Sequence, residues 1–230
     1  MSAWSAPLGA DARVRVQVTS CADGDLQVDG DVIDLDRRRR SIVDRPWVWL
    51  RQVHGAEVVV LGDQQAIDDI SGAQADGIVT SRGDVAIAAH SADCATVAMW
   101  SPEGVIGVAH VGWRGLEAGV IGATASAMSD SGASSISAFI GPHIRAECYE
   151  FGAEDLERMS VRFDQRVVAA TPSGSPALDV AAAIAMDLER ASVELAGSSG
   201  ECTACEVGRY WSHRARGEQQ RQALVVWIEQ

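Results

Sequence analysis

An α+β fold, a mixed β-sheet core flanked by helices, is what this 230-residue sequence predicts. Four short apolar runs, DGIVTS, VAIAAH, ATVAMW and VIGVAH, are bunched between residues 76 and 110 and separated by Gly, Ser, Pro and Asp, the punctuation expected between strands. Helical spacing of apolar residues comes later and in blocks, over 152 to 170 and 178 to 196, so the order is not a regular βαβ alternation. With 47% hydrophobic residues the chain can bury a full core, and a single domain over 1–230 is the expectation.

The elements follow in chain order. VRVQVT (14 to 19) alternates like a half-buried strand, and the acidic CADGDLQVDGD after it is turn-rich. The Arg37 to Arg40 run, beside Asp34, Asp36 and Asp44, reads as a solvated helix face, with a polyanion site as the alternative. WVWLRQVHG and EVVVL give two strands with His54-Gly55 between them, and 62 to 76 is a polar connection. After the central strands, Trp113 to about Met128 is proline-free and rich in small residues, as a closely packed helix would be. ISAFIG adds a strand, and TPSGSP is the loop between the two later helices, the second of which Asp179 would cap. A Cys-x-x-Cys turn, a YWSHRA strand and a final ALVVWI strand close the chain.

A net charge of −13 argues against a broad nucleic-acid surface, which needs Lys and Arg to neutralise phosphates. The seven tryptophans are dispersed rather than set as a stacking platform. No apolar run is long enough for a membrane span and the N-terminus lacks the order of a secretory signal, so a cytoplasmic protein without membrane partners is expected. An odd count of five cysteines does not suggest a disulfide framework.

Three places combine a metal-capable side chain, a strand end and a glycine or turn: QVHG (52 to 55), SADC (91 to 94) and AHVGWRG (109 to 115). Two imidazoles and a thiolate, from His54, Cys94 and His110, would suit Zn²⁺ and leave a fourth position for water or substrate. Each residue alone reads more readily as an ordinary core or edge side chain, and the trio rises above that only through the motifs around it. Cys202 and Cys205 form a CxxC with no second pair to complete a four-ligand site. His90 is expected to face the core or a sheet surface, and His143 could line a cleft.

The blocks QVHGAEV, ADGIVTSRGDVAIAAHSADCATV, GVIGVAHVGWRGLEAGVI and FIGPHIRAECYEFG resemble, in order and spacing, the YfiH family, also called laccase-domain or DUF152 proteins and described as purine nucleoside phosphorylases. They cover roughly residues 47 to 152, and CTAC with YWSHRAR looks like the family's closing block in weaker form. The resemblance implies an α+β YfiH-like fold, zinc held by His54, Cys94 and His110, and phosphorolysis of adenosine, inosine, guanosine or methylthioadenosine to free base and ribose 1-phosphate, with adenosine deamination as a second reaction. The chain departs from the family pattern at DGDLQVDGD, which lacks the usual asparagine, at Glu147-Cys148 in place of a double cysteine, and at the Glu-Gln-Gln-Arg near the C-terminus.

Phosphorolysis requires an anion site. A helix N-terminus after His110, with the forked cation of Arg114 and the close approach allowed by Gly112 and Gly115, would supply one; the alternative pairs Arg114 with Asp93 or Glu117. Asp93 and Glu150 are the carboxylates that could move a proton in deamination. Two rival functions stand beside the phosphorylase. One is a hydrolase in which His110 activates Cys94 against the amide of a peptidoglycan precursor, and the other a non-catalytic nucleotide sensor. A multicopper oxidase is disfavoured by a chain with five histidines and no His-x-His pair.

Overall fold

The computed structural model describes residues 2–8 and 12–230. In chain order the elements are β1 (Ser2–Leu8), β2 (Ala12–Val18), α1 (Val32–Ile42), β3 (Trp47–Val48), β4 (Val58–Leu61), β5 (Gly77–Thr80), β6 (Ala86–Ser91), β7 (Ala95–Trp100), β8 (Ile106–Val111), α2 (Trp113–Ala118), α3 (Val120–Asp130), β9 (Ile136–Ile140), α4 (Ala153–Phe163), β10 (Val168–Ala170), β11 (Pro176–Leu178), α5 (Val180–Arg190), β12 (Val193–Ser198), α6 (His213–Arg216) and β13 (Gln222–Glu229).

Two mixed sheets stack face to face. One has the order β1-β2-β13-β6-β3 and the other β12-β9-β7-β8-β5-β4. Val14, Val16, Leu224 and Val226 of the first meet Ile78, Ala98, Ile106 and Val108 of the second in one apolar layer. The opposite side chains of the second sheet, Val79, Val97, Met99, Ala109 and Val111, pack against Leu116, Ile121, Met128 and Ile184 of the helices. α1 covers the outer face of the first sheet through Leu35 against Ala86, Ala88 and Val225. This double coverage explains why the central strands read as continuous apolar runs rather than alternating ones.

The solvated face expected over Arg37–Arg40 holds for Arg37 and Arg40, while Arg38 donates to the Asp25 carbonyl. Asp31 caps α1, Arg37 pairs with Asp34, and Arg40 pairs with Asp36 and Asp44. Arg39 turns inward over the Trp47 and Trp49 rings. Asp179 caps α5, accepting from the Ala182 amide.

Four expectations need correction. The helix expected from Trp113 is broken into α2 and α3 at Gly119, whose φ of 89° interrupts the helical path. The segment 152 to 170 is helical only to Phe163, because Asp164 adopts φ 61° and the chain re-emerges as β10. α5 stops at Arg190, Ser192 adopts φ 55°, and Val193 onward joins β9 in parallel. YWSHRA is not a strand: Ser212 caps the single turn of α6 there, which ends on left-handed Gly217. β1, the edge strand paired with β2, was not anticipated.

Candidate metal centre

Sheet register brings the three predicted ligands together. Gly77 lies opposite Ala109 in the β5–β8 pairing, which sets Asp76 beside His110 at one end of the sheet. β7 begins next to β8 with Ala95 opposite Val111, so Cys94 arrives at the same end. The loop before β4 delivers His54. The ligand atoms of His54, Cys94 and His110 all lie within 4.8 Å of one another, with Cys94 Sγ 3.9 Å from His54 Nε2 and the imidazoles edge to face at 4.8 Å.

Asp76, absent from the predicted set, organises this centre. One carboxylate oxygen accepts from the His54 amide at 3.0 Å and His110 Nδ1 at 2.8 Å. The other accepts from the Gly55 amide at 2.7 Å and the Val53 amide at 3.2 Å. An ionised carboxylate can only accept, so Nδ1 of His110 carries the proton and Nε2 is left for a metal. The three amide bonds also hold His54 at φ 62°, a left-handed conformation that a residue with a Cβ adopts at some cost. In the sequence Asp76 is only the last residue of the polar connection before DGIVTS; the β5–β8 register is the signal that identifies it.

The electrostatics fit a metal-ligating set. Burial opposes ionisation of Asp76, yet the hydrogen bonds from His110, Gly55 and His54 outweigh it and hold the carboxyl below its ordinary range. Burial likewise opposes the Cys94 thiolate, but His110 and His54 beside it bring the thiol from 9.0 down to about 6. Burial disfavours the His110 imidazolium, and Cys94 and Asp76 hold it up to about 9. Zn–S and Zn–N bonds of about 2.3 and 2.0–2.1 Å place sulfur and nitrogen about 3.6 Å apart in a tetrahedral site, within half an ångström of the 3.9 Å between Cys94 Sγ and His54 Nε2.

Gly112 makes room for the centre. Its φ of −78° demands no glycine, but a Cβ there would stand 2.9 Å from His54 Cδ2 and 3.2 Å from Cys94 Sγ. Gly115 similarly lets α2 approach the Gly55 carbonyl, 3.2 Å from where its Cβ would be. Gly112→Ala is expected to weaken metal binding severely, whereas Gly122→Ala, with open space at its Cβ, is neutral; chelator competition on both variants is the check, and equal affinities would contradict the steric argument.

Two cavities meet at Cys94. One, about 410 Å³, is walled by Trp113, Tyr149, Ile144 and Arg214; Phe151 braces both aromatic rings edge-on. The other, about 470 Å³, is lined by Gln52, His54, His90, His110 and Arg221. His213 borders both. His90 is thus at a cavity as well as buried, and burial first, then the charges of Arg39 and His110, press its pKa down to about 3, leaving it neutral. His143 is buried, with Nδ1 bonded to the Gly141 carbonyl.

Arg114 and Asp93 are placed differently from the sequence reading. Arg114 is exposed and lies over the Trp113 ring at 4.4 Å, with Arg158 on that ring too at 5.7 Å; it lines neither cavity. Glu117, its alternative partner, is taken by Arg158. α2, with six residues, is too short for a developed dipole. Asp93 accepts from Thr203 Oγ1 and the Arg214 amide, both at 2.6 Å, and with φ 107° it fixes the chain just before Cys94. Glu150 is exposed, and its carbonyl accepts from Arg214. His213 and Arg214 at the cavities were missed because YWSHRA reads as a strand, and Arg221 because the Glu-Gln-Gln-Arg stretch reads only as a departure from the family pattern.

A family model described as multi-copper polyphenol oxidoreductase laccase matches residues 19–229. The chain is 35% identical over 189 residues to a purine nucleoside phosphorylase of Streptomyces coelicolor, covering 79% of this chain and 75% of that one. It is 29% identical to a purine nucleoside phosphorylase of Pseudomonas aeruginosa over the whole of both. Among solved structures, YfiH of Bacillus licheniformis superposes with a TM-score of 0.82 at 21% identity over 97% of this chain and 98% of that one. A DUF152 protein of Neisseria meningitidis gives 0.80 at 24% identity over 99% of each.

Proposed function

The chain belongs to the laccase-like DUF152/YfiH family, and from that premise we propose that it is a zinc-dependent purine nucleoside phosphorylase. The observation that carries the reading is the meeting of an aromatic cavity and a polar cavity at the His54, Cys94, His110 cluster. That cluster offers two imidazoles and a thiolate, a donor set suited to one Zn²⁺ with an open position. An oxygen-reducing multicopper site needs many more imidazoles.

Bound zinc would supply Lewis acidity at that open position. The protein's own contribution is orientation and charge. Trp113 and Tyr149 line the cavity that a purine would enter, Arg214 lies over the Tyr149 ring at 5.2 Å, and Tyr149, pushed up to about 12 by burial and by the charge of Cys94, remains a hydrogen-bond donor. Arg214, on the same cavity, is the residue we assign to phosphate, in the role the sequence offered to Arg114. Phosphate oxygen bonds to C1′ of the ribose as the C1′–N9 bond breaks, and the base departs with its proton at N7; His213, bordering both cavities, is placed to deliver it. Arg114 and Arg158 hold Trp113 in place.

Deamination is a weaker use of this site. The carboxylates lining the cavities are Asp93 and Asp29, the first held by Thr203 and Arg214 and the second paired with Arg51. A different second reading rests on the same side chains: without metal, His110 and His54 favour the Cys94 thiolate and Cys94 and Asp76 favour the His110 imidazolium, the pairing a cysteine hydrolase uses. Stoichiometric metal at Cys94 would decide against it.

Phosphate binding provides the direct test. Arg214→Ala should raise the KM for phosphate at least about tenfold, as loss of a charged hydrogen bond does, with little change in the KM for nucleoside. Arg114→Ala should leave the phosphate KM unchanged, and the reverse pattern would return the anion site to α2.

A further inference from the structure

A second group of metal-capable side chains lies outside the centre described above. The CxxC turn brings Cys202 and Cys205 toward Cys148, 57 residues earlier than Cys205, in the single-turn helix 146–148. All three Sγ atoms lie within 4.8 Å of one another, and Cys148 and Cys205 are 3.4 Å apart. Backbone pairing between His143 and Cys202, closed by the Thr203 amide on the His143 carbonyl at 3.2 Å, fixes the two segments in register. Cys202 is buried, and the Arg145 amide points at its Sγ from 3.4 Å, a hydrogen bond that supports a sulfur carrying negative charge.

We propose that Cys148, Cys202 and Cys205 form a second, thiolate-only metal site for a thiophilic d¹⁰ cation, Zn²⁺ or Cu⁺. Metal–sulfur bonds of about 2.3 Å set sulfurs about 3.8 Å apart in a tetrahedral site and about 4.0 Å apart in a trigonal one. The Cys148–Cys205 spacing of 3.4 Å lies just under both values and no pair is more than 4.8 Å apart, so the ion is reached by small side-chain movements. Three thiolates complete a trigonal Cu⁺ site, or leave one position to water on Zn²⁺. Binding exchanges the ion for the thiol protons, up to three per site. Because the thiolate and not the thiol is the ligand, affinity increases with pH.

The site would tie together two walls of the aromatic cavity. Tyr149 follows Cys148, and Thr203, inside the CxxC turn, donates to Asp93 next to Cys94. Its role is to anchor this corner, separate from the nucleoside chemistry and independent of that proposal.

The test is metal content per chain in chelator-stripped, reduced protein reloaded in two arms, with Zn²⁺ or with Cu⁺ under argon. Wild type, Cys205→Ser and Cys94→Ala are compared, with thiol alkylation mapped in each. In at least one arm wild type should retain about two equivalents after dialysis, and each variant about one. Cys94→Ala should keep its metal while protecting Cys148, Cys202 and Cys205 from alkylation. The arm that gives the second equivalent identifies the ion. Cys205 is exposed, so its serine variant retains the fold, and an unchanged thermal transition in the metal-free state verifies this. The proposal is overturned if wild type and Cys205→Ser retain equal metal in both arms, if Cys94→Ala retains none, or if protein isolated under argon carries a Cys148–Cys205 disulfide.

Discussion

Asp76→Asn is expected to lower the affinity for zinc proposed at the His54, Cys94, His110 centre by about 10- to 100-fold, the range for a residue that orients metal ligands. Asp76 accepts four hydrogen bonds, from three backbone amides and His110 Nδ1. Asparagine has one carbonyl oxygen, and its NH₂ would face donors on the other side, where nothing accepts. His110 then loses its fixed tautomer and the His54 loop loses amide partners that hold its left-handed conformation. Stability follows with a definite sign. The folded pKa of Asp76 is depressed, so its contribution is present above the unfolded value and is lost as pH falls through the folded value. Wild type should therefore exceed the metal-free variant in thermal stability at neutral pH, with the gap closing in acid. Chelator competition and thermal scans across pH measure both effects; a zinc affinity within twofold of wild type would contradict this role.

Cys94→Ala removes a ligand rather than its support, and its effect on zinc affinity should exceed the 10- to 100-fold expected for Asp76. Base release should fall with it, because the two remaining imidazoles make a poorer site. The wild-type thiol gives an independent readout. In metal-free protein, alkylation of Cys94 should rise with pH around a midpoint near 6, where an isolated thiol would ionise around 9; the thiolate form predominates above that midpoint. Zinc should suppress the reaction over the whole range. Unsuppressed alkylation in zinc-loaded, active protein would favour the nucleophile reading instead.

Much of this architecture was legible in the sequence because its causes are local. β5 to β9 are buried runs of apolar residues ending on Gly, Ser or Asp, and His54, Cys94 and His110 each stand where such a run ends or turns. What escaped depends on pairing across the chain. Asp76 looks like the end of a polar connection until Gly77 is set opposite Ala109. Cys148 looks isolated until the His143–Cys202 pairing brings the CxxC to it. The helix expected over 178 to 196 overran because Val193 and Leu195 fit a helical period as well as a strand; pairing with β9 decides in favour of the strand. Arg114 was drawn into the site by its nearness in sequence to His110, but one turn of helix points it outward onto Trp113.

The measurement that tests the central claim most directly is base release from inosine and adenosine by zinc-loaded protein, with and without phosphate, beside Cys94→Ala. The account predicts hypoxanthine or adenine together with ribose 1-phosphate, formed only when phosphate is present and lost in the variant. Base release that ignores phosphate, or none from either nucleoside by protein with zinc bound at Cys94, would contradict it.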